Sequence, residues 1–115
     1  VYTVEIIQGL AELARKNIMT TGYGDRVTIV CTDGSMGYAE KAPYDRILVT
    51  AAAPDVPKPL IEQLKPNGTM LIPVGSASLF QTLMKIVKRV NGRIKEENFG
   101  GVAFVPLTGR YGHRI

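Results

Sequence analysis

The chain has 115 residues, 45% of them apolar, a formal charge of +4 and a single cysteine. That length holds one domain with a modest core. An internal disulfide is excluded, a reducing cytosolic setting is the default, and no apolar run approaches the roughly 20 residues of a spanning helix. Taken in chain order, residues 1–6 (VYTVEI) are β-branched and aromatic and predict a buried strand. Over 9–21, Leu10, Leu13, Ala14 and Ile18 fall at helical spacing, and Gly22 and Gly24 end the helix. Residues 27–31 predict a second strand containing Cys31, read as a buried structural thiol, and Asp33-Gly34-Ser35 turns the chain at its end.

A third strand, apolar on both faces, is predicted over 46–50, followed after three prolines by a short helix over 60–64 and a turn at KPNG (65–68). A fourth strand covers 69–74. Residues 79–90 are ambiguous by period alone, but Asn91-Gly92 predicts a hairpin with 93–98 returning. Residues 102–107 close the pattern as a last strand. The order β-α-β-β-α-β with a β-rich tail predicts one α/β domain over 1–115, with a mostly parallel sheet and an antiparallel C-terminal hairpin. No secretory leader pattern is visible.

In an open α/β sheet, ligands bind outside the carboxyl ends of the strands. Glu5, Asp33-Gly34, the run from Thr50 through Ala51, Ala52 and Ala53, and Val74-Gly75 all fall at such ends. A carboxylate there can accept from two ribose hydroxyls, a second one can accept from an adenine amino group, and small residues let a ligand approach the backbone. Singly, each position also reads as a solvated strand end, an ordinary turn or close packing. Together they favour a nucleoside-containing ligand.

Catalytic groups of the usual kinds are nearly absent. His113 is the only histidine, which argues against a zinc site or a His-based triad. No serine sits in a G-x-S-x-G context. The densest basic stretch, Lys85, Lys88, Arg89, Arg93 and Lys95, lacks interleaved aromatics and reads as a solvated face rather than a nucleic-acid site.

The stretch APYDRILVTAAAPDVPKPLIEQLKPNGTMLIPVG (42–75), with VYTVEI, DGSMGY and VAFVPLTG in the same order, resembles the protein-L-isoaspartate (D-aspartate) O-methyltransferase family over nearly the whole chain. The resemblance implies a Rossmann-like S-adenosylmethionine-dependent methyltransferase fold in which VYTVEI is the second strand. The family's first strand, its glycine-rich loop and its Ser-containing substrate loop have no matching positions, so this chain alone is expected to be inactive.

By the same resemblance, Glu5 would hold the cofactor ribose, and Asp33 and Gly34 the adenine. Thr50, Ala51 and Ala52 would line the cleft beneath the transferable methyl, with Ala52 on the substrate side. The backbone of Val102, Ala103, Phe104 and Val105 would pair with an isoaspartyl peptide. No catalytic side chain and no metal are implied, because the isoaspartyl carboxylate is already ionised at neutral pH. The implied partners are isoaspartyl-containing proteins. Residues 1–6 are expected either to pair directly with 46–50 or to leave strand edges for another copy of the chain, giving a homo-oligomer. The alternative reading is a non-catalytic nucleoside- or peptide-binding module.

Overall fold

Two parallel strands need a long crossover between them, and residues 8–20 supply one. The computed structural model describes residues 1–114. They gather into two compact units, Val1–Gly34 and the chain from Ser35 onward. In the first, β1 (Tyr2–Glu5) and β2 (Thr28–Cys31) pair in parallel from Tyr2↔Thr28 to Glu5↔Cys31. Helix α1 (Gln8–Thr20) joins them and ends where Gly22 takes a φ of +82. It turns Ala11, Ala14 and Ile18 inward at i, i+3, i+7 spacing.

Three expectations for this unit are corrected. Leu10 and Leu13 lie on the outer side of α1 and are about half exposed. β1 is a strand but not a buried one, with Tyr2 41% exposed, because among the described residues only β2 pairs with it, on one edge. Cys31 is an exposed free thiol rather than a core one, since it ends β2 where the chain leaves the ladder.

The second unit carries a sheet of order β3-β4-β5-β6, made of Tyr44–Leu48, Leu64–Gly75, Gln81–Lys88 and Ile94–Val102. Helix α2 (Lys58–Gln63) starts after Pro57 and connects β3 to β4, which run parallel. The KPNG turn falls inside β4 as a register shift between Tyr44↔Leu64 and Arg46↔Thr69, and Asn67 absorbs it with a φ of 65. β4–β5 and β5–β6 are antiparallel. The antiparallel part thus exceeds a terminal hairpin, because loop 76–80 is far too short for a parallel crossover.

The Asn91-Gly92 turn forms as expected, with Gly92 N–H donating to the Arg89 carbonyl at 2.9 Å. However, β6 runs through to Val102, so no separate strand spans 102–107. Beyond Val102 the described residues make only isolated bridges, such as Ala52↔Pro106. Direct pairing of 1–6 with 46–50 does not occur either: among the described residues β1 pairs with β2 and β3 with β4.

The core consists of Ala53, Leu60, Leu64, Met70, Ile72 and Ile86, with Ile47, Val49, Ile61 and Leu107 packed around it. β3 carries apolar residues on both faces, but Leu48, at the sheet edge, is 71% exposed. Among the described residues, no helix is long and apolar enough to cross a membrane.

Candidate functional site

Glu5 and Asp33 reach the same edge of the first unit because β1 and β2 are parallel and in register. The Thr32 N–H donates to the Glu5 carbonyl at 3.2 Å, which sets Asp33 two residues beyond the last ladder pair, Glu5↔Cys31. Both acidic residues are half-buried. One carboxylate oxygen of Glu5 accepts the Ile7 N–H at 3.2 Å, so the side chain is steadied from the start of α1, while its second oxygen has no such bond among the described residues. Gly34 sits over Val4, where an added Cβ would lie at ordinary contact distance, 3.6 Å from Val4 Cγ1. Two carboxylates and a small residue at one carboxyl edge fit a nucleoside bearing vicinal hydroxyls and an exocyclic amine.

The rest of the DGSMGY stretch belongs to the second unit. Ser35 is fully buried, and its Oγ accepts the Tyr111 N–H at 3.0 Å. Gly37 has a φ of +69 and lies under Gln63, whose Nε2 donates to the Met36 carbonyl and whose Oε1 accepts the Tyr38 N–H, each at 2.9 Å. A Cβ on Gly37 would stand 2.2 Å from Gln63 Oε1. That carboxamide ends a flexible side chain and can swing away, but only by giving up both bonds. Gly37→Ala is therefore expected to cost about 2 kcal/mol in urea denaturation, from the left-handed φ and the two lost bonds together.

The alanine run divides by role. Thr50 is exposed and Ala51 half-buried, while Ala52 and Ala53 are fully buried. Ala52 donates to the Val105 carbonyl and accepts from the Leu107 N–H, both at 2.8 Å. Ala53 is bonded in the same way to Pro73 and Gly75. These small side chains let three extended segments lie side by side, so at Ala52 it is the close-packing reading that the structure displays. Of the 102–105 stretch, Val102 ends β6 opposite Gln81, and Ala103, Phe104 and Val105 are exposed.

Gln63 and Gln81 escaped the sequence reading. The signal that could have found Gln81 is a polar residue opening a strand that alternates inward, yet it is only 3% exposed. Among the described residues, no cluster of three or more His, Cys, Asp or Glu is placed to hold a metal ion.

The family model described as Protein-L-isoaspartate(D-aspartate) O-methyltransferase (PCMT) matches residues 1–112. The chain belongs to this family. Similar relatives include the protein-L-isoaspartate O-methyltransferases of Thermococcus onnurineus, 56% identical over 112 residues, and Hyperthermus butylicus, 57% identical over 114. The alignments cover 97% and 99% of this chain but 51% and 47% of those proteins. The chain thus spans about half the length of the relatives it matches.

Among solved structures, a protein-L-isoaspartate O-methyltransferase aligns with a TM-score of 0.87 at 29% identity, covering 97% of this chain and 35% of that one. A second, described as a protein-L-isoaspartate O-methyltransferase from Plasmodium falciparum in complex with S-adenosyl-L-homocysteine, aligns with a TM-score of 0.81 at 26% identity. It is covered over 52% of its length, and it covers 94% of this chain. The α/β, Rossmann-like architecture of the family is therefore that of this PCMT-family chain.

Proposed function

We propose that this chain carries cofactor- and substrate-binding parts of an enzyme that methylates the free carboxylate of L-isoaspartyl and D-aspartyl residues in damaged proteins, opening their repair. The observation that carries the reading is that Glu5, at the end of β1, and Asp33, two residues past the end of β2, lie at one carboxyl end of a parallel ladder, in a chain that belongs to the family over 1–112. The complex of the P. falciparum relative with S-adenosyl-L-homocysteine supports S-adenosylmethionine as the methyl donor. When bound, that group supplies a methyl activated by a sulfonium.

The work left to the chain's own residues is placement. Glu5 would hold the ribose hydroxyls, and Asp33 and Gly34 the adenine. Thr50 and Ala51 are given to the same cofactor. Ala52 and residues 102–105 are given to the isoaspartyl peptide, Ala52 by fixing the backbone of Val105 and Leu107. No general base is needed, because the isoaspartyl carboxylate is ionised at neutral pH. What remains is alignment of donor and acceptor with little water between them. We place the reaction in the cytoplasm, in line with a single unpaired cysteine.

The test is transfer of labelled methyl to an isoaspartyl hexapeptide and to its aspartyl counterpart, assayed with this chain and with the full-length relative of Thermococcus onnurineus. Cofactor binding by both is expected, with any transfer confined to the isoaspartyl form. Cofactor binding without transfer by either protein would leave a nucleoside-binding module in place of an enzyme.

The open edges of β1 and β3, with Leu48 exposed on the latter, also lead us to propose self-association of this chain. Light scattering behind a sizing column is expected to give a dimer or larger species, and a monomer at every concentration tested would contradict it.

A further inference from the structure

Gln81 opens β5, is 3% exposed, and spends its whole carboxamide on backbone. Its Nε2 donates to the carbonyls of Ser76 at 2.8 Å and Leu79 at 3.2 Å, and lies 3.5 Å from that of Phe104. Its Oε1 accepts the Phe104 N–H at 2.8 Å. Only one orientation of the amide fits, since the opposite flip would set an oxygen against carbonyls and an NH2 against an N–H. One side chain therefore takes the place of a strand partner for Phe104, just where β6 has ended, and ties it to loop 76–80.

The far side of the segment is fixed separately, at the Val105 carbonyl and the Leu107 N–H, by Ala52. Between these two ties, the N–H and C=O of Ala103 and the N–H of Val105 make no hydrogen bond among the described residues. All three residues 103–105 are exposed. An extended segment held at both margins with backbone groups left over is the arrangement that strand addition requires.

We propose that Gln81 is a positioning residue for the peptide substrate: by clamping Phe104 to loop 76–80 it keeps the backbone of Ala103 and Val105 extended and presented to the incoming isoaspartyl peptide. This rests on the reading of 102–105 as the segment the peptide joins. Without the clamp the backbone must be ordered again at each binding event, which costs affinity for peptide but not for cofactor.

The test uses the whole chain and a fluorescently labelled isoaspartyl peptide, with its aspartyl counterpart as control, because the chain has no tryptophan to report binding. Gln81→Met keeps the length and removes every bond. It is expected to weaken isoaspartyl-peptide binding about tenfold and to speed exchange of the Phe104 amide by a similar factor, with the affinity for S-adenosylhomocysteine unchanged. Gln81→Asn retains a shorter amide and is expected to fall between. Parent-like peptide affinity in Gln81→Met overturns the positioning role and leaves the reading of 102–105 standing. A parent chain that does not distinguish the isoaspartyl from the aspartyl peptide overturns that reading and the proposal with it. Should Gln81→Met fail to fold, Gln81→Asn decides: a freely exchanging Phe104 amide with parent-like peptide affinity overturns the proposal.

Discussion

Replacing Glu5 by alanine is expected to weaken binding of S-adenosylhomocysteine roughly a hundredfold. Two hydrogen bonds from ribose hydroxyls to a carboxylate are lost, together about 3 kcal/mol, and each 1.4 kcal/mol is about tenfold in affinity. Glu5→Gln keeps one acceptor in place and should lose about tenfold. Neither change should shift the unfolding midpoint much, because Glu5 is only half-buried and the bond its carboxylate makes among the described residues, from the Ile7 N–H, lies on an exposed surface. Calorimetric titration with thermal unfolding of the same samples separates these effects. Equal affinity for parent and Glu5→Ala would remove Glu5 from the cofactor site.

Ile86→Ala is expected to be among the most destabilising single changes in the second unit, at about 2–5 kcal/mol. Ile86 has no exposed surface and faces Met70, also fully buried, directly across the β4–β5 ladder. Truncation leaves a cavity bounded by Met70 and its core neighbours, which strand residues on a hydrogen-bonded ladder cannot close by shifting. Ile86→Val, losing one methylene, should cost about 0.5–1.5 kcal/mol. Urea titration followed by circular dichroism checks both values. A loss under 1 kcal/mol for the alanine variant would mean that the sheet is not packed as described.

Where local signals were strong, the sequence announced the structure. The Asn91-Gly92 hairpin, the helix ended at Gly22 and the strands carrying Glu5 and Val30-Cys31 follow from turn chemistry and periodicity. The shared position of the two acidic residues was legible for the same reason: Glu5 ends β1, Asp33 follows β2 by two residues, and parallel strands in one α/β unit bring their ends together. Extent and burial were less legible. Whether Leu10, Leu13 or Cys31 is covered depends on what packs against α1 and β2, which no period in the chain encodes. KPNG reads as a turn, yet the ladder with β3 resumes beyond it, so it becomes a bulge inside β4. The end of β6 at Val102 depends on partners distant in sequence, Gln81 and Ala52, which bond side chain to backbone or backbone to backbone. Such ties leave no pattern along the chain. Gln63 and Gln81 were overlooked for that reason, though each holds a backbone segment by side-chain bonds.

The most direct test of the central claim is calorimetric titration of this chain with S-adenosylhomocysteine beside an Asp33→Ala control. Saturable binding that the substitution abolishes is the predicted result, and it would assign the Glu5–Asp33 edge to the nucleoside. A folded chain that binds no S-adenosylhomocysteine, or one whose binding survives Asp33→Ala unchanged, would contradict it.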